Sequence, residues 1–391
     1  MQTDVNNVAE VTCSSFSTAT GCAEYFLTIS SRDDATFEEA LAQIAVAYQT
    51  ALIEYGLDER SLQFSRIYVS DVSNEYQVLT DSPLYNCLGT GAVSIIQQSP
   101  LCGPVSLLVY HIKDDSNILS KDSVFYDSDS TLQGVYTQGQ HYSFLLTANN
   151  TCDGSDSEKQ TDGLFSIHCS TLNKYKMTLR NNTVRTWIYV RDIDNNYKGM
   201  VKARRELFSR VGLTDKTRYI ASTGIEGKTV QTQLLVTMDS LSIGNLKEEQ
   251  IIRMEALENL SSTIVYGVTF ERGTRIRFGD RSHLYISGTA SIDHKGDILH
   301  IGDVRGQTER TIDNIEALLK PHGATLEDMR YLIIYVRNRK HYQFIQDILA
   351  ARLPASIPLM PVEGAVCRPG WLIEMEGVAI IKDSTNYPPF F

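Results

Sequence analysis

The sequence predicts an α+β fold of three consecutive modules around a pseudo-threefold axis, with mixed sheets inside and helices outside. Two observations predict it. A strand–helix–strand grammar occurs three times at nearly constant spacing: Glu39 to Val69 and Gln160 to Val190 are each 30 residues apart, and Gln307 to Val336 is 29. Each unit continues with a further helix and strand, so one sheet face takes the helices and the other is left over. A unit that cannot bury that second face alone stacks it on its neighbours. The expected modules are 1–135 with a trailing linker, 136–245, and 246–391, the last carrying the densest site motifs. Residues 113–135, rich in Asp and Ser, read as the linker; three independent domains on linkers are the alternative organisation.

The elements follow from local rules. Phe26 to Ser30 is a short strand. Thr36 and Glu39 form a capping box, Ala40, Ile44, Ala47 and Ala51 give the following helix a buried face, and Gly56 ends it. Leu62 to Val72 and Val105 to Ile112 read as strands. In the second unit the expected strands are His141–Thr147, Asn182–Ile193 and Thr232–Met238. Helices are expected from Gln160 to Leu172 and around Tyr197 to Val211, the latter with Leu207, Phe208 and Val211 on its apolar side. In the third, Leu284–Ile292 and Tyr331–Val336 are strands, Gln307–Leu319 and Tyr342–Ala351 are helices, and Pro354–Pro361 is a loop. The last strand, Trp371 to Ile380, follows the Pro369-Gly370 turn.

Composition narrows the function classes. The chain has 391 residues, 42% of them hydrophobic and 21% charged, as in ordinary globular proteins. A net charge of −11 argues against nucleic acid, which wants a basic face. A small anionic metabolite remains a suitable partner if arginines converge on one pocket. The seven cysteines lack CxxC spacing, so free thiols in a reducing cytoplasm are expected, with neither a disulfide framework nor a metal site. No secretory signal and no membrane-spanning run is visible, and no cofactor motif occurs. A cytoplasmic monomer or low-order homo-oligomer is the expectation.

The stretch that carries chemistry is Cys367-Arg-Pro-Gly-Trp-Leu-Ile-Glu-Met-Glu-Gly-Val-Ala-Ile380. Alternation puts Leu372, Glu374 and Glu376 on one side of the strand, with Ile373, Met375 and Val378 bracketing the other. Two carboxylates on an apolar strand are costly if buried and uncompensated, and equally suit a solvated or charged edge strand.

At these residues the sequence resembles the RidA (YjgF) family, whose single modules normally form homotrimers with ligand clefts between subunits. The resemblance rests on Ile286-Ser287-Gly288, on Gln307-Thr308 with Asn314 and Leu318, and on Ile373-Glu-Met-Glu-Gly-Val-Ala379. It is similar in more detail to the chorismatase branch, whose chains hold tandem RidA-like, chorismate-mutase-like units. Thr183-Val-Arg-Thr-Trp187, Asp192-Ile-Asp194 with Tyr197, Ala221-Ser-Thr-Gly-Ile225, Ser287-Gly-Thr-Ala-Ser-Ile292 and Cys367-Arg-Pro369 carry that likeness, over roughly residues 183–380. The first module resembles the family mainly in pattern, best at Gln98-Ser-Pro-Leu101.

The resemblance implies an intramolecular pseudo-trimer and loss of pyruvate from chorismate or a related enolpyruvyl ether, giving a dihydroxycyclohexadiene acid or a hydroxybenzoate. It places Glu374 as the acid that protonates the enol methylene, which near neutral pH requires a raised pKa. Glu376 would raise that pKa by repulsion. Arg272, Arg368, Arg185 and Arg191 are candidates for the substrate carboxylates. Gly288 and Thr289 would bring backbone N–H groups close, Ser222 and Thr223 would line the site, and Tyr266 could stack on a ring. A thiol at Cys367 matches the aromatising branch, although a small buried hydrophobe would look the same. RidA enzymes that hydrolyse imines hold substrate with the arginine of a Pro-Ala-Arg sequence. Here the matching stretches are Pro354-Ala355-Ser356 and Ile220-Ala221-Ser222, which disfavours imine deamination. The alternative of different class is a non-catalytic RidA-like protein that binds a small metabolite.

Overall fold

In a computed structural model, which describes residues 9–19, 22–126, 132–261 and 267–391, the chain folds into three mixed sheets with helices on their outer faces. The first sheet holds β1 (Glu10–Phe16), β2 (Ala23–Ser30), β3 (Leu62–Val69), β4 (Ala92–Gln97) and β5 (Val105–Lys113), in the order β1-β2-β5-β3-β4. Its principal helix, α1 (Phe37–Tyr55), begins where Thr36 accepts from the Glu39 N–H and Glu39 accepts in return from the Thr36 N–H at 2.8 Å. It stops at Gly56, whose φ of 62° suits a residue without Cβ. Two short helices, α2 (Val72–Thr80) and α3 (Pro83–Leu88), connect β3 to β4, where no helix is expected from the sequence.

The second sheet runs β6-β7-β8-β11-β9-β10, from β6 (Ser120–Phe125), β7 (Leu132–Gln138), β8 (Ser143–Asn150), β9 (Thr183–Val190), β10 (Ala221–Glu226) and β11 (Val236–Gly244). Its helices are α4 (Ser157–Lys174), the single turn α5 (Leu179–Asn182) and α6 (Ile193–Val211). The third runs β12-β13-β14-β17-β15-β16, from β12 (Ile251–Met254), β13 (Gly273–Arg277), β14 (Arg281–Ala290), β15 (Met329–Val336), β16 (Leu359–Glu363) and β17 (Ile373–Lys382), with α7 (Val304–Leu319) and α8 (Gln346–Arg352) outside. The four central strands have one topology throughout: β2-β5-β3-β4, β8-β11-β9-β10 and β14-β17-β15-β16, with only the last two of each set parallel.

Several expectations are corrected. The presumed linker 113–135 contains β6 and the start of β7, which pair antiparallel and extend the second sheet through β8. Its exposed Ser120, Asp122 and Ser123 read as loop because an edge hairpin buries too little to show a period of two. The strand expected at Thr232–Met238 begins at Val236, after a turn closed by Leu234 N to Gln231 O. The strand from Leu62 stops at Val69, because α2 starts at Val72. Pro361 lies within β16, an edge strand, where a missing N–H is tolerated.

Each sheet has two dry faces. Outward, α1 packs Ala40, Leu41, Ile44 and Tyr48 on Ile67, Val69, Leu107 and Val109. Leu164, Phe165 and Phe208 of α4 and α6 cover Leu145, Ile188 and Val190 in the same way. Inward, Phe26, Phe64 and Leu108, then Leu146, Trp187 and Leu241, then Tyr285, Tyr331 and Val378 line one cavity among the three sheets. Val378 therefore shares the inner face with Glu374 and Glu376 and does not bracket the other side. Strand alternation requires this, since all three positions are even.

Candidate active site

Between the second and third sheets lies a cleft with about 540 Å³ of empty space. Its walls include Ser222, Thr223 and Gly224 of β10, Gly288 and Ala290 of β14, Glu374 of β17, and Cys367, Arg368 and Trp371 from the turn before β17. Helix α6 contributes Tyr197 and Arg204, and the segment before β13 contributes Val268, Phe270 and Arg272. Residues from two modules thus meet in one pocket, which is the usual setting for a small-molecule site.

Glu374 is the buried acid of this pocket, only 5% exposed. Burial pushes its pKa up to about 8, and the neighbouring Glu376 carboxylate adds to the rise, against the opposing pull of Arg272 and Arg185. The carboxyl fits because residue 288 is glycine: a Cβ there would stand 2.2 Å from the Glu374 Oε1. The expected role of Gly288 is corrected accordingly. Its N–H is taken by Thr223 Oγ1 at 2.9 Å, so it supplies room and not a free donor.

Glu376 is answered from three sides. Arg185 Nη2 and the Thr223 hydroxyl both donate to Oε2, and Tyr335 donates to Oε1 at 2.7 Å. Arg185 also donates to Thr223 Oγ1 at 2.6 Å and stacks on Trp187. This ion pair is wholly buried, and neither Arg185 nor Glu376 lines the cleft; both act on it through Glu374 and Thr223.

Three guanidinium groups remain at the cleft. Arg272 is held by Ser261 O through Nε and Nη2, each at 3.2 Å. Arg368 lies over the Trp371 ring at 4.9 Å and donates to Gly296 O. Arg204 was not among the expected residues. It donates to Thr269 Oγ1 and Ser222 Oγ, both at 3.3 Å, while its buried Nη2 has no partner. Among the described residues no carboxylate lies within ion-pair distance of Arg204. The signal was present in the sequence: Ile193, Met200, Phe208 and Val211 form the apolar stripe of α6, and Arg204 interrupts it. A buried guanidinium without an acid is costly unless a ligand answers it.

Cys367 is half-buried and lies beside the Tyr197 hydroxyl. Burial and the nearby Glu374 push its thiol up to about 12, so it is a neutral group at the cleft wall. Thr289 is buried outside the pocket and donates to Ser287 O at 2.9 Å. Arg191 bonds Leu234 O, Thr229 O and Gln231 O of the loop between β10 and β11, and it is not among the residues that line the cleft. Tyr266 falls outside the described residues. Among the described residues no group of His, Cys, Asp or Glu is placed to hold a metal ion, and no helix is long and apolar enough to cross a membrane.

Comparison with known proteins agrees with this architecture. The model of the endoribonuclease L-PSP family matches residues 276–381. The 3-aminoacrylate deaminase RutC of Acinetobacter baylyi is 30% identical over 97 residues, covering 25% of this chain and 77% of that protein. A crystal structure of a chorismatase superposes with a TM-score of 0.65 at 19% identity, covering 93% of this chain and 100% of the other, so the fold is shared over nearly the whole chain. The chain belongs to the endoribonuclease L-PSP (RidA) family, in the chorismatase-like form of its fold.

Proposed function

We propose that the chain removes pyruvate from chorismate or a closely related cyclic enolpyruvyl ether. The observation that carries this reading is the buried Glu374 carboxyl, seated over Gly288 and protonated near neutral pH, in a cleft that also presents Arg204, Arg272 and Arg368. Vinyl ether cleavage needs such a proton. Glu374 delivers it to the enol methylene, the adjacent carbon becomes an oxocarbenium, and the new carboxylate faces that positive charge. Water adds to the carbon, and the hemiketal collapses to pyruvate and the ring alcohol. In the aromatising variant the ring then loses water, so hydroxybenzoate and pyruvate account for every substrate atom. The neutral Cys367 thiol, beside both Glu374 and Tyr197, is suited to directing that second stage.

The guanidinium groups suit the two substrate carboxylates, with Arg204 the strongest candidate because its Nη2 is unanswered. Imine deamination is disfavoured, although the RutC relative is named a 3-aminoacrylate deaminase. Ser222 occupies the place of the Pro-Ala-Arg arginine in the second module, and Ser356 is exposed in the third. The same unanswered Arg204 also fits a protein that binds an anionic metabolite without turning it over. Incubation of purified protein with chorismate and an assay for pyruvate separates the two. Release supports the enzyme, whereas thermal stabilisation by chorismate without release supports the binding protein.

A further inference from the structure

We infer that Glu271 is a positioning residue for this cleft, holding Arg272 and the cleft-lining start of β10 in register across the junction between the second and third modules. This rests on the reading of the cleft as the site for a dianionic enolpyruvyl ether. Glu271 is 1% exposed and lines no part of the pocket. Its carboxylate joins the other module's backbone to its own module: Oε1 accepts from the Tyr219 N–H at 2.7 Å, and Oε2 from the Thr274 hydroxyl of β13 at 3.3 Å. Among the described residues no cation comes within ion-pair distance of it; Arg218 and Arg253 act from further away, and burial pushes its pKa up to about 7. A buried carboxylate with no paired cation is expensive, so an apolar residue would be the cheaper way to fill the space.

The bonds around Glu271 show what that cost is spent on. The Glu271 N–H donates to Ile220 O at 3.2 Å, and Ser287 Oγ donates to Glu271 O at 2.5 Å. Ser287 Oγ in turn accepts from the Ser222 N–H at 2.9 Å, while the Ser287 N–H donates to Arg272 O at 3.0 Å. The chain from Tyr219 through Glu271 and Ser287 to Ser222 closes a ring across the module junction. Each member of this ring is within three residues of a group that faces the cleft: Ser222 and Thr223, Arg272, Gly288. The carboxylate of Glu271 is the side-chain acceptor that joins the second module's end of this ring to the Arg272 segment.

The test is a double-mutant cycle on pyruvate release from chorismate. Glu271→Ala is expected to raise KM about ten- to a hundredfold, the cost of one lost bond to a charged acceptor, with kcat near wild type. Glu271→Gln, which still accepts from the Tyr219 N–H, should stay near the wild-type KM. In an Arg272→Ala background, Glu271→Ala should add nothing further to KM, since its effect passes through the arginine. If Glu271→Ala does not fold, Glu271→Asp, which keeps the charge but shortens the reach, should show the same rise. An unchanged KM, or effects that simply add in the cycle, would overturn the inference. Should wild type release no pyruvate, the substrate reading fails separately, and a crystal structure of Glu271→Ala decides the positioning role. Arg272 displaced from Ser261 supports it, and Arg272 in place refutes it.

Discussion

Two junctions in this molecule share a backbone plan and differ in a few side chains. At the second, β14 carries a bulge, with Ser287 and Gly288 both opposite Glu376. At the first, β8 carries the same bulge, with Ala148 and Asn149 both opposite Asp239. Register makes the acids counterparts: Glu376 lies across from Ile333 as Asp239 does from Trp187, and Glu374 across from Tyr335 as Thr237 does from Tyr189. Each junction also buries an arginine–carboxylate pair that crosses modules, Arg185 with Glu376 and Arg66 with Asp239. There the likeness ends. Asn149, at φ 51°, fills the first junction and donates to Val93 O at 3.2 Å, where Gly288 leaves a gap for the Glu374 carboxyl. The ion pairs are therefore scaffold common to both junctions, and the proposed site exists where a glycine and an acid coincide.

The sharpest way to break this comparison is to remove the acid. Glu374→Gln keeps the shape but not the deliverable proton, so pyruvate release should fall about 10²–10⁴-fold, the usual worth of general acid catalysis. The counterpart change Thr237→Val should leave release intact. Equal effects at the two positions would mean that Glu374 matters only as packing.

Next come the ion pairs. Arg66→Met and Arg185→Met each strand a buried carboxylate, and each should cost about 3–5 kcal/mol in denaturant unfolding. Only Arg185→Met should also move the activity profile. Arg185 holds the Glu374 pKa down, so its loss shifts the alkaline limb to higher pH.

The glycine and its counterpart separate stability from activity. Gly288→Ala drives a Cβ into the end of a flexible side chain, so thermal stability should change little. The displaced acid should lose about 10²-fold in rate, as misplaced catalytic groups do. Asn149→Gly should do the reverse, giving up hydrogen bonds worth about 0.5–1.5 kcal/mol with pyruvate release unchanged.

The smallest effects are in pH dependence. Pyruvate release should decline as pH rises through about 8, where Glu374 loses its proton. Glu376→Gln removes the like charge and leaves Arg185 unopposed, both of which lower the Glu374 pKa and move that limb to lower pH. Stability follows with a definite sign. The folded chain keeps a proton that the unfolded chain releases between about 4.5 and 8, so the contribution of Glu374 is full below about 4.5 and is lost as pH rises toward 8. Glu374→Gln should flatten that part of the unfolding curve.

Much of this molecule was legible in its sequence because helix and strand formation is decided over a few residues. Thr36, Glu39 and Gly56 mark both ends of α1, and the spacing of apolar positions in α7 and β15 announces the repeat. Glu374 was legible too, as an acid on an apolar strand beside family motifs. Segments whose signal is weak locally needed their neighbours: β6 is a strand because β7 pairs with it, and nothing in its polar sequence says so. The division of labour among the arginines was decided only by tertiary structure. Arg185 meets a carboxylate 191 positions away and leaves the cleft, while Arg204, buried by the packing of its helix, enters it unanswered. Periodicity states which side of an element is dry. Which charges face each other there, and how far burial shifts their protons, depends on strands that come together from different modules.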